Sequence, residues 1–295
     1  MGDIDLYKIK LKEKERRRKD FLQRLIRNRN SFVGLIIILI FILCAIFADF
    51  IAPQHFNEQN IDNALLKPLS SGYPLGTDEF GRCLFSRIIY GTRITFFVGF
   101  VATGIAAIIG TAVGLVAGYF GRKIDQVLSM IINITWSFPL ILLALILIVI
   151  LGSGVYGIIL TVGLIAWAGF ARIVRGEVLS VKEKDFILAA RALRISNAKI
   201  ILRHILPNIF PPILVMFSLN IGTTILIETG LSFLGLGVRP PTPSWGTIIN
   251  MGRTYIRNAP WLTTFPGIAI MLVVLGFNLL GDGLRDIFDP KLRNI

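Results

Sequence analysis

Long apolar runs alternate with shorter polar stretches along the chain, and that alternation predicts its elements. A first apolar run over residues 32–48 follows a basic start. Further runs lie at residues 95–119, 124–151, 156–173, 209–231 and 265–284, each near the ~20 residues that carry a helix across a bilayer core. The pattern predicts an all-α polytopic membrane protein with six transmembrane helices, the first over residues 31–52 and the rest within 94–284. Gly104, Gly110, Gly114 and Gly118 form a small-residue stripe for helix packing, while Pro139 and Pro211-Pro212 predict bends.

The polar stretches between the runs fall into two groups. Residues 53–93 are punctuated by Pro53, Pro68, Gly72, Pro74 and Gly76, so no span passes through them; they form a loop on the far side, joined there by residues 232–263. On the near side lie residues 174–208, between the fourth and fifth spans, and the tail 285–295. Within the near-side loop, Phe186, Ile187, Ala190 and Leu193 recur at helical spacing, and Ala189 and Ala190 permit close approach of another surface. They predict a docking helix. Ser196 suits the N-cap of a second helix from Asn197 to about Leu206, which Pro207 ends or bends.

Composition and charge sharpen this picture. The chain is 54% hydrophobic, with mean hydropathy +0.71, too much apolar surface for one soluble core. Its net charge of +13 is not a nucleic-acid signal, because the basic residues cluster between spans. Of 31 Lys and Arg, only Lys67, Arg82, Arg87, Arg93, Arg239, Arg253 and Arg257 fall in segments assigned to the far side. Both termini and the docking loop are therefore expected in the cytoplasm, with residues 53–93 and 232–263 outside. Residues 1–30 carry eleven basic side chains against five acidic ones and precede a retained first span; Phe21, Leu22, Leu25 and Ile26 share one face, the pattern of a helix lying on an anionic leaflet.

Candidate chemistry is sparse. No phosphate-binding G-x-x-x-x-G-K-[ST] occurs, so no ATP site is expected, and no cofactor or metal. The two histidines, His55 and His204, lie in loops on opposite sides, which excludes a His-based catalytic pair; an enzyme is not expected. Cys44 and Cys83 are separated by a membrane boundary and do not predict a disulfide. Glu228 is the one acid inside a span, expected near enough to the outer interface to be solvated and bonded to a neighbouring helix or the following turn. A secondary transporter would place several ionisable groups there, and a channel would need a filter loop that residues 151–157 do not supply. Asn133, Thr135, Asn220, Thr223 and Asn278 are the polar residues placed to line a path, and Tyr73, Trp245, Tyr255 and Trp261 are candidates for a protein contact outside or an aromatic belt.

At this point four segments carry a resemblance. Leu188-Ala189-Ala190, Arg194 and Leu206-Pro207 stand at the spacing of the EAA loop of binding-protein-dependent ABC importers. PLGTDEFGRCLFSRIIYGTR (74–93), ETGLSFLGLGVRPPTPSWG (228–246) and NLLGDGLRDIFDPKLR (278–293) resemble the dipeptide, oligopeptide and nickel importer permeases, in particular the second permease of the pair. The resemblance implies a prokaryotic inner-membrane subunit that forms half of a translocation path with a homologous partner permease. It further implies two ATPase subunits, an extracytoplasmic binding protein, and peptides as cargo, with nickel or its chelates second. Asp185, Phe186, Ala189, Ala190, Leu193, Arg194 and Pro207 would be the ATPase-coupling residues. Three departures stand out. Leu188 replaces the motif's Glu, Cys83 stands where the family tends to have Asp, and Arg194 replaces its turn-making Gly. Arg there implies either a strained left-handed residue or a docking helix that continues toward Ser196; the continued helix is the expectation, with its guanidinium aimed at an acidic rim on the ATPase.

Overall fold

A computed structural model of the protein describes residues 23–288, and the described residues contain helices, turns and two isolated β-bridges. The main helices are α1 (Arg29–Ile46), α2 (Leu84–Phe120), α3 (Arg122–Ser137), α4 (Leu140–Leu151), α5 (Val155–Val181), α6 (Asp185–Ala192), α7 (Asn197–Phe233), α8 (Trp245–Gly252) and α9 (Trp261–Phe288), with single helical turns at Ala48–Ile51, Ile61–Asn63 and Arg253–Tyr255. Helices are what an apolar run must form in lipid, because every backbone N–H and C=O is then satisfied within the segment. Five of them, α1, α2, α5, α7 and α9, are long and apolar enough to cross a membrane, and six spans result if the bent pair α3–α4 counts as one.

That pair departs from the single span expected over 124–151: α3 and α4 are bent by 94°. The cause is local. Pro139 bars the preceding residue from the helical region, and Phe138 is accordingly extended at φ −90°, ψ 137°. Pro211 and Pro212 do not interrupt α7, which runs on through them. Gly152 (φ 88°) and Gly154 (φ 117°) make the turn from α4 into α5.

The glycine stripe explains the tightest contact, between α2 and α5. A Cβ on Gly110 would sit 2.4 Å from the Trp167 carbonyl oxygen, one on Gly114 2.7 Å from that of Ala171, and one on Gly118 2.7 Å from the Val178 Cβ. Gly104, expected in the same stripe, faces open space, because six residues before Gly110 it falls on another side of α2; at its level Ala102 and Ile105 are the residues that meet Gly163 of α5. Where lipid supplies no hydrophobic drive, such backbone approach is the main source of helix association. Gly34, Gly276 and Gly283 let α1 and α9 meet equally closely. Of the face expected to lie on the leaflet, Phe21 and Leu22 fall outside the described residues, Ile26 is exposed, and Leu25 is buried against Val215 and Leu284.

At the end of the bundle opposite α6, the GTDEFGR segment folds into a buried ionic knot. Asp78 accepts from the Phe80 and Arg82 amides at 3.0 Å and pairs with Arg82 Nε at 2.7 Å and Arg87 Nε at 3.5 Å. Gly76 (φ 82°) and Gly81 (φ 69°) permit the turns, and Cys83, where the family tends to have Asp, is wholly buried beside the knot. Burial pushes the Glu79 carboxyl above its usual range, with Asp78 adding to the shift. At the same end Asp49 binds Arg93 at 2.9 Å and accepts from the Tyr90 hydroxyl; these partners hold it below the usual carboxylate range.

Two outcomes follow from this packing. Gly114→Val drives a side chain into the Ala171 backbone and should lower stability by about 1–3 kcal/mol, whereas Gly104→Ala should be neutral or stabilising; thermal unfolding of the purified protein in detergent separates them. Asp78→Ala removes the buried carboxylate between Arg82 and Arg87, leaving Arg82 with Glu79 at 4.0 Å and Arg87 with the Phe56 carbonyl, and a loss of about 3–5 kcal/mol should appear as poor membrane insertion or a sharply reduced melting temperature.

Candidate functional site

The loop between α5 and α7 is built as a helix with two faces. Ile187 (0% exposed) and Ala190 (5%) enter a cluster with Leu115, Tyr119, Val178, Val181, Ile200 and Ile205. Phe186 (41% exposed), Leu193 (76%), Leu188 and Ala189 turn outward. This corrects the single docking face expected from spacing: Ile187 and Ala190 belong to the protein's own core, and Phe186, Ala189 and Leu193 form the outer stripe. Apolar residues occupy two adjacent sides of α6, and periodicity alone does not say which one turns inward. Asp185 stands exposed in the first turn and Arg191 in the last, each matching the sign favoured by the helix dipole.

Anchors fix α6 relative to the spans. Tyr119 Oη donates to Asn197 Oδ1 at 2.7 Å, Lys182 Nζ donates to the Gly118 carbonyl at 3.0 Å, and Arg191 lies 5.2 Å over the Tyr119 ring. The docking loop is thus tied to the end of α2.

Arg194 does not continue the helix. It adopts φ 55°, with its amide donating to the Arg191 carbonyl and that of Ile195 to the Ala190 carbonyl. These two bonds form a Schellman cap, with Ile195 packing on the cluster that holds Ala190. The glycine turn of the family is therefore kept with arginine in the left-handed position, because closing these bonds and burying Ile195 outweigh the ~1–2 kcal/mol of left-handed backbone. Ser196 takes the N-cap position without a side-chain bond, and the helix that follows is not ended by Pro207. It passes through a π turn, Ile201–Ile205, directly into the long span, with Pro207 exposed near the start of the renewed α segment, where its missing N–H is tolerated.

The polar residues expected to line a path are spread over three helices. Asn220 borders an open recess of about 670 Å³ between α5, α7 and α9, with Glu177, Met216 and Arg285 among its walls. Asn133 is exposed and accepts from Arg172 Nη2 at 3.1 Å. Trp136 and Met216 both border Gly169, so the Asn133 and Asn220 faces meet across α5. Thr223 and Asn278 are exposed, Asn278 beside Gly222, whereas Thr135 bonds back to the Ile131 carbonyl. Arg172, Glu177 and Arg285 were not singled out by sequence, where they read as ordinary charges near span ends.

Three of the four aromatic candidates are interior. Trp245 is fully buried with its indole donating to the Ile88 carbonyl at 3.1 Å, Trp261 donates to that of Thr77 at 3.3 Å, and the Tyr73 hydroxyl accepts from Asn63 at 3.2 Å. A ring with one polar handle is buried once that handle finds a partner. Tyr255 is half-buried against the same core. Exposed instead are Ile61 (74%) and Leu69 (90%) on the loop before α2. Glu228 is not solvated: it is fully buried and accepts from the Ser232 hydroxyl at 2.8 Å, one turn along its own helix.

Helices long and apolar enough to cross a membrane, joined by a short helix pinned by one side and bare on the other, are the architecture of a polytopic membrane subunit with a docking surface. Residues 110–294 match the family described as Binding-protein-dependent transport system inner membrane component, and residues 17–68 match the N-terminal TM domain of oligopeptide transport permease C. The chain is 46% identical over 276 residues to the dipeptide transport system permease protein DppC of Alkalihalophilus pseudofirmus, covering 94% of this chain and 90% of that one. It is 39% identical over 275 residues to the oligopeptide transport system permease protein OppC of Bacillus subtilis, covering 93% and 90%. It is 41% identical over 278 residues to the glutathione transport system permease protein GsiD of Escherichia coli O157:H7, again covering 93% and 90%. In fold it is similar to the MetNI methionine ABC transporter in inward-facing conformations, with TM-score 0.58 and 20% identity over 70% of this chain and 98% of that one. The chain belongs to the ABC importer permeases of the dipeptide and oligopeptide family, multi-pass subunits of the inner membrane whose membership implies ATPase and substrate-binding protein partners.

The left-handed Arg194 yields a direct expectation. Arg194→Gly removes ~1–2 kcal/mol of backbone strain and returns ~0.4–1 kcal/mol through the freer unfolded chain. A net gain of about 0.5–1 kcal/mol should slow hydrogen exchange at the Ile195 amide.

Proposed function

We propose that the chain is one of two homologous permease subunits of an ABC importer for short peptides, which it passes across the membrane by ATP-driven alternating access. The single observation that carries this reading is the bare apolar stripe Phe186, Ala189 and Leu193 on a helix whose other side is rooted in the core. Such a stripe in water is stabilised by a groove on another protein, and helix-in-groove docking is the fitting mode. The groove belongs to a partner ATPase, since the chain has no phosphate-binding loop of its own. Asp185 and Arg194 flank the stripe and supply polar contacts at its rim; Ala190 acts from inside as part of the anchor, and Pro207 lies just beyond.

ATP-driven closure of the ATPases would push on α6, and the anchors Tyr119–Asn197 and Lys182–Gly118 would carry that motion into α2 as a rigid body. Asn133, Thr135, Asn220, Thr223 and Asn278 are assigned to the path, with the second permease facing them. Charge distribution supports a cytoplasmic location for both termini and α6. The loop 53–93 and the segment 232–263 then lie outside, where Ile61 and Leu69 offer apolar contacts to the binding protein, with Tyr255 at the margin. Peptide cargo is favoured by the dipeptide, oligopeptide and glutathione systems of the relatives named above.

Phe186→Asp or Leu193→Asp should abolish peptide uptake while leaving assembled complex in the membrane and uncoupling ATP hydrolysis from transport. Uptake at the wild-type rate in Phe186→Asp refutes the assignment. Ala190→Asp, by contrast, buries a charge and should deplete the subunit itself.

A further inference from the structure

Arg172 is a cation at the near-side end of a spanning run, with no carboxylate paired to it among the described residues. It lies nine residues from the end of α5 at Val181, about 13 Å along a helix about 40 Å long. It stands at the near-side end of the apolar run 156–173, which is itself about as long as a ~30 Å hydrocarbon layer is thick. Arginines in such places normally reach outward to the interface. This one reaches inward. Its guanidinium carbon lies 4.1 Å over the Trp136 ring, and Nη2 donates to Asn133 Oδ1 at 3.1 Å. On α3, Asp125 pairs with Arg175 and Ile132 packs with Ala168 and Ala171, so α3 runs antiparallel along α5 and Trp136 is the deeper residue. Asn133 and Trp136 thus hold the charge away from the water at the α6 end.

A charge so held is strongly disfavoured against lipid, which means that this side of α5 faces water or a charged occupant. The guanidinium borders a recess of about 220 Å³ lined by Ser129, Ile132, Asn133, Arg172 and Arg175. Arg175 is neutralised there by Asp125, through bonds of 2.5 and 2.8 Å. Among the described residues Arg172 has neither an ion pair nor a second hydrogen-bond acceptor. The recess is smaller than the ~300 Å³ at which sites for whole small molecules begin, so it takes one end of a ligand.

We infer that Arg172, positioned by Asn133 and Trp136, forms a carboxylate-recognition station on the translocation path and receives the C-terminal carboxylate of a peptide in transit. A planar guanidinium with free N–H groups is the fitting partner for a carboxylate. Dipeptides, oligopeptides and glutathione, the cargoes named for the relatives, all carry one. The inference rests on the peptide-importer reading proposed above and adds to it a specific contact.

The test uses the complete transporter, this chain with its partner permease, ATPases and binding protein, in proteoliposomes, with radiolabelled trialanine and trialanine C-terminal amide as probes. Arg172→Gln should lower the maximal rate of trialanine uptake about ten-fold at an unchanged half-saturating concentration, which reports on the binding protein. Arg172→Lys, which keeps the charge and loses the planar fork, should recover part of that rate, and the yield of assembled complex and its ATPase activity should match wild type in both variants. Any amide uptake by wild type should be unaffected by Arg172→Gln. Undiminished trialanine uptake in Arg172→Gln overturns the inference, as does an equal fall for both probes. Loss of assembled complex in Arg172→Gln assigns the arginine to a subunit contact and overturns it too. If wild type imports neither probe, the peptide reading beneath it falls.

Discussion

Everything at the α6 end depends on how closely α2 and α5 approach each other. Lipid tails are as apolar as leucine, so burying side chains between spans gains little; what holds the pair is contact between backbones at Gly110, Gly114 and Gly118. The last of these glycines also presents its carbonyl to Lys182, and its neighbour Tyr119 reaches Asn197. The residues that seal the bundle therefore also seat the loop. Remove the approach, and α6 loses its footing before any partner arrives.

The opposite end is stabilised by different physics. There the chain must fold a long polar loop with little apolar surface, and it does so by burying charge in compensated form around Asp78 and by threading indoles inward. Trp261 bonds to the carbonyl of Thr77, next to Asp78, and Trp245 bonds to the carbonyl of Ile88, one turn beyond the start of α2. A rigid floor results, with Ile61 and Leu69 standing on it.

Much of this was legible beforehand. Run lengths revealed the long helices, Pro139 and the loop glycines marked turns while Pro207, Pro211 and Pro212 did not, and the EAA spacing located α6. What was hidden has a common cause. Amphipathic spacing reports that a residue is apolar, and it is silent on which of two apolar sides a small helix buries; Ile187 and Phe186 are equivalent in the sequence and opposite in space. Tryptophans near span ends fit an interface as well as a core until a specific carbonyl is found for each indole. Arg194 invited a continued helix because arginine favours one, but tertiary closure through Ile195 overrode that preference. Arg172 reads in the sequence as one of the charges that set orientation, since its partner, a ring thirty-six residues earlier, becomes its neighbour only when α3 folds back along α5.

The π turn at Ile201–Ile205 has a mechanical meaning. It makes Asn197–Ile200, the last part of the docking loop, and the long span of α7 one continuous rod with a phase slip, an extra residue in one turn that offsets the angular position of everything above it by roughly 100°. Ile200 and Ile205, five residues apart, both point into the core under α6, while Asn220 further along still opens onto the recess. Without the slip, a rod that satisfied one of these faces would turn the other away. The wide turn thus acts as the gearing between a stroke delivered at the loop and the orientation of the wall it moves.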